Sequence, residues 1–143
     1  MAEVVVGIDL GGTYVRVGVF HPHGELLHTL QQPIEAQLGG QAGVQRIIAL
    51  VQQALQESRG QLIGIGMGST GPLDSTLGLI QNPYTLPGWE NVPVLQPLRD
   101  QFHVPAVLEN DADVAALGEY WAGAGQGAQR LYAVTVGTGI GTA

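Results

Sequence analysis

The chain has 143 residues, a formal net charge of −7, 45% hydrophobic and 12% charged residues, and no cysteine. That length gives one domain's worth of core, the composition excludes a disordered segment, and a cysteine-free chain has no disulfides and suits a cytoplasmic home. Five arginines and no lysine give no basic cluster for nucleic acid, and neither a long apolar run nor a basic-then-apolar leader points to a membrane or to export.

In chain order, residues 4–10, 15–20 and 25–31 read as strands, split by Gly11-Gly12 and then by the turn signal His21-Pro22-His23-Gly24. Val44, Ile47, Ile48, Val51 and Leu55 share one helical face, and Arg59-Gly60 ends that helix. Residues 62–68 form a short buried strand, with another at 78–81 before a proline-rich loop at 83–93. A short helix at 94–102, a strand at 104–108, a helix at 111–122 and a last strand at 131–136 follow. Three antiparallel strands followed by alternating helices and strands predict an α/β fold. It is a mixed five-stranded sheet flanked by helices, of ribonuclease-H-like type.

The first strand delivers Asp9 to the turn Gly11-Gly12-Thr13, and a second apolar strand leaves it. Glycines let backbone N–H groups approach an anion, and the threonine hydroxyl adds a donor. A carboxylate beside such a turn repels a bare phosphate, so Asp9 points to a bridging Mg²⁺ held through water. The same residues also suit an ordinary Gly-Gly hairpin capped by its Asp. Near the other end, a β-branched strand runs into Gly137-Thr138-Gly139-Ile140-Gly141 and repeats the design. Neither turn is a Walker A loop, which needs a Gly-Lys-[Ser/Thr] ending. The second does not fit the dinucleotide fingerprint either.

Together with Leu108-Glu109-Asn110-Asp111-Ala112-Asp113, Gly68-Ser69-Thr70-Gly71-Pro72-Leu73-Asp74 and Leu86-Pro87-Gly88-Trp89, the two turns resemble the ROK family of bacterial sugar kinases. These belong to the actin-like ATPase superfamily. The five motifs occur in family order from Val4 to the last residues. The resemblance implies a lobe at residues 1–125 and the start of a second lobe at 126–143, with nucleotide and sugar held between two such lobes. It also implies ATP and Mg²⁺ as cofactors and a hexose as substrate, glucose or an N-acetylated relative, phosphorylated at its 6-hydroxyl. On this reading the chain lacks most of the second lobe and is inactive alone. The family's structural zinc site belongs to the missing half, so no zinc is expected here.

Residue by residue, the resemblance makes Asp111 the general base toward the attacking hydroxyl and pairs it with Asn110 on the sugar's hydroxyls. Phosphoryl transfer needs an in-line hydroxyl, charge neutralisation and a proton acceptor, and a carboxylate at a strand's C-terminal end suits that role. Without the resemblance, an Asn-Asp pair between a strand and a helix is simply an N-cap. Gly71 is expected against the sugar ring, with Thr85 in the sugar-side loop where the family often carries Asn. Asp9, Gly11, Gly12, Thr13, Gly137, Thr138 and Gly139 are expected on the nucleotide's phosphates. Asp113 suits the first helical turn, Glu109 suits either a second acid or the opposite strand face, and Glu119 suits a helix surface. Trp89 reads as a buried loop anchor rather than a stacking platform, and His21 and His23 as solvated turn residues without further metal ligands.

Two other readings compete. ROK proteins include sugar-sensing transcriptional regulators with a helix-turn-helix ahead of this domain, and the phosphate turn here begins within ten residues of Met1. A different actin-like ATPase explains both glycine turns but not Asn110-Asp111 or Leu86-Pro87-Gly88-Trp89. The apolar strand at 131–136 is expected to find its hairpin partner beyond Gly141. Unpaired, it would fray or pair with a second copy as a homodimer.

Overall fold

The computed structural model describes every residue except Thr138. Strands β1 (Glu3–Leu10), β2 (Tyr14–Phe20) and β3 (Leu26–Pro33) are followed by a 3-10 turn at Ala36–Leu38, helix α1 (Gly40–Ser58) and strand β4 (Gln61–Ser69). Three two-residue strands come next: β5 (Leu73–Asp74), β6 (Leu79–Ile80) and β7 (Val92–Pro93). Helix α2 (Leu95–Phe102), strand β8 (Ala106–Asn110), helix α3 (Asp111–Ala122) and strands β9 (Val134–Val136) and β10 (Ile140–Thr142) complete the order.

The main sheet runs β3-β2-β1-β4-β8. Its first three strands are antiparallel, and β4 and β8 join in parallel. This is the mixed five-stranded sheet expected from the alternation of the elements. In β1, Val4, Val6, Ile8 and Leu10 are buried while Glu3 and Asp9 are exposed, and Val15, Val17 and Val19 repeat the pattern in β2. That buried face meets Val44, Ile47, Val51 and Ala54 of α1. Each such side chain contributes about 1.5–3 kcal/mol of burial. Helix α1 ends where Arg59 adopts a left-handed conformation (φ 53°) and donates its N–H to the Leu55 carbonyl.

Several boundaries differ from the sequence reading. The strand expected at 104–108 is β8, two residues later, because parallel pairing begins at Ile65 with Ala106. Pro105 has no N–H to give to a ladder, yet its carbonyl accepts the Ile65 N–H at 2.9 Å. The shift matters for function: Asn110 is now the last strand residue and Asp111 the first helical one, with no loop between. The proline-rich stretch also carries β7, which pairs with β6, and β6 pairs with β5 in a small antiparallel sheet.

The strand expected at 131–136 is β9 alone, and its partner lies within the chain. β10 pairs with it antiparallel, and Ala133 and Ala143 exchange both backbone hydrogen bonds. Gly141 permits the fold-back, since a Cβ there would press on the Thr135 side chain. The expectation of a partner beyond Gly141 is therefore corrected. The partner strand is β10, in a three-residue ladder. Among the described residues no helix is long and apolar enough to cross a membrane.

Candidate functional site

The site is built at the C-terminal ends of β4 and β8, where parallel strands leave their carbonyl ends and the next segments turn away. The register sets Ser69 beside Asn110, so the residues after each strand, Thr70-Gly71 and Asp111, start from neighbouring points. Asn110 has extended backbone geometry and caps α3: its Oδ1 accepts the Ala112 N–H at 3.0 Å. Asp111 Oδ1 accepts the same N–H at 2.8 Å. Glu109 Oε1 accepts the Asn110 N–H at 2.9 Å, so Glu109 steadies the junction from the other side. Asp113 lies in the first turn of α3, where its charge favours the helix dipole.

Thr70, Gly71, Asn110 and Asp111 line a cleft of about 450 Å³, and its far wall is the β9–β10 hairpin with Thr135, Gly137 and Gly139. A Cβ at Gly71 would come 3.3 Å from Asn110 Nδ2, so the missing side chain is what leaves space beside the amide. At Gly137 and Gly139 a Cβ would meet nothing within 4 Å. The Cα faces there are open, while the Gly137 N–H is bonded to the Gly139 carbonyl at 2.9 Å. Asp111 is exposed, and among the described residues its carboxylate has the backbone Ala112 N–H as its one hydrogen-bond partner.

The first glycine turn sits elsewhere. Gly11 donates its N–H to the Tyr14 carbonyl, and Gly12 and Thr13 are exposed. Asp9 is exposed on the other face of the sheet, 3.8 Å from Arg16, and lines a larger, mostly apolar cavity of about 550 Å³ with Gly68, Glu109 and Val107. The structure thus gathers Gly71, Asn110, Asp111, Gly137 and Gly139 around one cleft and leaves Asp9, Gly11, Gly12 and Thr13 outside its lining. Thr138 lies outside the described residues. His21 and His23 stack on each other at 5.3 Å in the β2–β3 turn. Among the described residues no group of three or more His, Cys, Asp or Glu is placed to hold a metal ion.

Thr85 is the link between the two regions. A Cβ on Gly12 would stand 2.8 Å from the Thr85 carbonyl oxygen. The first glycine turn and the loop carrying Thr85 therefore touch, and the missing side chain of Gly12 permits that contact. Gly12→Ala should push the loop outward, lowering stability by about 1–3 kcal/mol. Amide chemical shifts across residues 82–89 should move with it; a variant whose spectrum changes only at residues 10–14 would show that the contact is not made.

Two residues that the sequence reading did not assign also belong here. Asn82, 1% exposed, bonds both Thr70 and Thr85, and the Thr70 hydroxyl is part of the same cluster. Asn82-Pro83 signals a turn in the sequence, but nothing local tells where its amide points. Trp89 is fully buried as expected, with its ring where a Gly43 side chain would lie.

Comparison with known proteins places this geometry. The model of the ROK family matches residues 5–143. A glucokinase of Halalkalibacterium halodurans is 34% identical over 139 residues, covering 95% of this chain and 42% of its own length. The crystal structure of a ROK hexokinase from Thermus thermophilus matches with a TM-score of 0.87 and 37% identity, over 97% of this chain and 45% of that one. A ROK glucokinase from Streptomyces griseus, solved with glucose and AMPPNP, matches with a TM-score of 0.83 and 31% identity, over 97% and 43%. The chain thus spans less than half the length of these relatives. Its sheet order and helices are those of the family's actin-like ATPase fold, and the chain belongs to the ROK family.

Proposed function

We propose that the protein carrying this chain phosphorylates a hexose, glucose or an N-acetylhexosamine, at its 6-hydroxyl with ATP. The observation that carries the reading is the exposed Asp111 carboxylate in a cleft shared with Gly71, Asn110, Gly137 and Gly139. A lone N-cap needs no cleft and no open glycines across from it. Relatives named glucokinase, one solved with glucose and AMPPNP, support the same chemistry.

Asp111 takes the proton of the 6-hydroxyl as that oxygen attacks, which is general-base catalysis by a carboxylate within reach of its proton. Asn110 keeps its Nδ2 free of the cap, since Oδ1 alone bonds Ala112, and that amide donates to a sugar hydroxyl. Gly71 and Thr85 flank the sugar. The exposed backbone of Gly139, across from Gly71, offers its N–H to phosphate oxygens, and Gly12 and Thr13 do so from the first turn, while the N–H groups of Gly11 and Gly137 hold the two turns in shape on the Tyr14 and Gly139 carbonyls. When bound, Mg²⁺ neutralises charge on the phosphates, and Asp9, an exposed carboxylate, is the residue that would hold its water shell. Residues 126–143 open a second lobe on this reading, and this chain alone is inactive because the cleft must close to exclude water.

The test is ADP release by a family-length protein containing this chain, with MgATP and glucose, N-acetylglucosamine, N-acetylmannosamine or fructose in turn. The expected result is release that depends on at least one of these sugars, at an ordinary kinase turnover of about 1–100 per second. Sugar binding without any sugar-dependent ADP release would instead favour a sensor.

A further inference from the structure

Asn82 is a buried amide with every hydrogen-bonding position used. Its Oδ1 accepts the backbone N–H groups of Tyr84 and Thr85, both at 3.1 Å. Only an oxygen can take those two hydrogens, so the orientation of the amide is fixed by the backbone. Its Nδ2 therefore faces the threonines. It donates to Thr85 Oγ1 at 2.6 Å and to Thr70 Oγ1 at 3.1 Å, with the Thr70 carbonyl a distant third at 3.5 Å.

The hydrogens can then be counted. Thr70 Oγ1 and Thr85 Oγ1 lie 3.3 Å apart, and each already accepts one hydrogen from Asn82. Their mutual bond uses the hydrogen of one hydroxyl. The other hydroxyl keeps a hydrogen with no partner inside the cluster. Thr70 is the member that lines the cleft beside Gly71, Asn110 and Asp111. Either hydroxyl can donate in the mutual bond, and the spare O–H reaches the cleft from Thr70 when Thr85 is the donor. We propose that Asn82 is a positioning residue: by donating to both threonine oxygens it leaves one hydroxyl hydrogen of the pair spare. Presented from Thr70, that hydrogen is a donor to a hydroxyl oxygen of the sugar, with the exposed Thr85 completing the pair. This rests on the sugar-kinase reading above and assigns the sugar-side role to two residues, Asn82 and Thr70, outside the Asn110-Asp111 pair.

Asn82→Asp tests it in the family-length protein. A carboxylate of the same shape still accepts from Tyr84 and Thr85, so the turn is kept, but it has no hydrogen to give. Both threonine hydroxyls then turn their hydrogens toward it, and the outward donor is consumed. The sugar KM should rise by about 3- to 10-fold, the worth of one neutral hydrogen bond, while the ATP KM stays within about twofold on the same ground. Thr70→Val should raise the sugar KM similarly, and Thr70→Ser should restore it. That pair decides the matter if Asn82→Asp does not fold. An unchanged sugar KM in Asn82→Asp and Thr70→Val, or a rise in the ATP KM in step with it, overturns the inference while the kinase reading stands. A wild-type protein that neither binds nor phosphorylates any hexose overturns both.

Discussion

Asp111→Asn in a family-length protein should lower turnover by about 100- to 10,000-fold, the usual worth of a general base, while the sugar KM changes by less than about threefold. The substitution keeps the shape and the hydrogen bond to Ala112, because an amide oxygen can accept that N–H as the carboxylate does at 2.8 Å. Asn110 caps the same N–H from its own Oδ1, so α3 does not depend on Asp111 for its start. Stability should therefore stay within about 0.5 kcal/mol of the parent, as for a surface change away from any buried feature. This separation is what distinguishes a base from a cap. A variant that loses stability and keeps its turnover would assign Asp111 to the helix alone.

Trp89→Ala should destabilise the 143-residue chain by about 3–5 kcal/mol, as for other fully buried aromatic side chains. The chain's whole stability is on the order of 5–15 kcal/mol, so the change removes a large share of it. Trp89 is 0% exposed, and its indole N–H has no hydrogen-bond partner among the described residues. Packing alone holds it. The ring occupies the space that a side chain at Gly43 would fill, in the first turns of α1. Its backbone closes the loop, with Trp89 N–H on the Leu86 carbonyl and Asn82 N–H on the Trp89 carbonyl. Trp89 thus ties the segment carrying Asn82 and Thr85 to the sheet's covering helix. Chemical denaturation of both variants checks the account, with Gly43→Ala as the partner in a double-mutant cycle. Gly43→Ala should be costly alone and near neutral in the Trp89→Ala background, a non-additivity expected of residues in contact. Additive effects would mean that the two do not touch.

The strands were legible because β-branched residues alternate with small or polar ones. Val15, Val17 and Val19 are each 0% exposed, and between them stand Arg16 and Gly18. Helix α1 was legible from its apolar face, and Arg59-Gly60 marked its end. Glycine turns and the Asn-Asp pair marked the candidate residues, and the junction of β8 and α3 fell where that pair stands. What stayed hidden depends on contacts far apart in the chain. The two-residue delay of β8 comes from its register on Ile65. The meeting of Gly12 with Thr85 joins positions 73 apart in number, and no local pattern encodes it. The Asn82 amide was hidden for the same reason: a turn signal fixes its Oδ1 on nearby N–H groups, but the threonine it reaches at position 70 comes from another strand's end. The separation of Asp9 from the Asp111 cleft was likewise not visible. Strand alternation puts Asp9 on the open sheet face with Glu109, across Gly68 in the register.

The most direct measurement locates the transferred phosphate. Uniformly ¹³C-labelled glucose, or whichever sugar of the panel supports ADP release, is incubated with MgATP and the family-length protein, and the product is read by ¹³C and ³¹P NMR. The account predicts a single phosphomonoester, with phosphorus coupling at C6 and formation lost in Asp111→Asn. Transfer to C1 or another carbon, no transfer to any sugar, or an Asp111→Asn protein that makes the product at the parent's rate would contradict it.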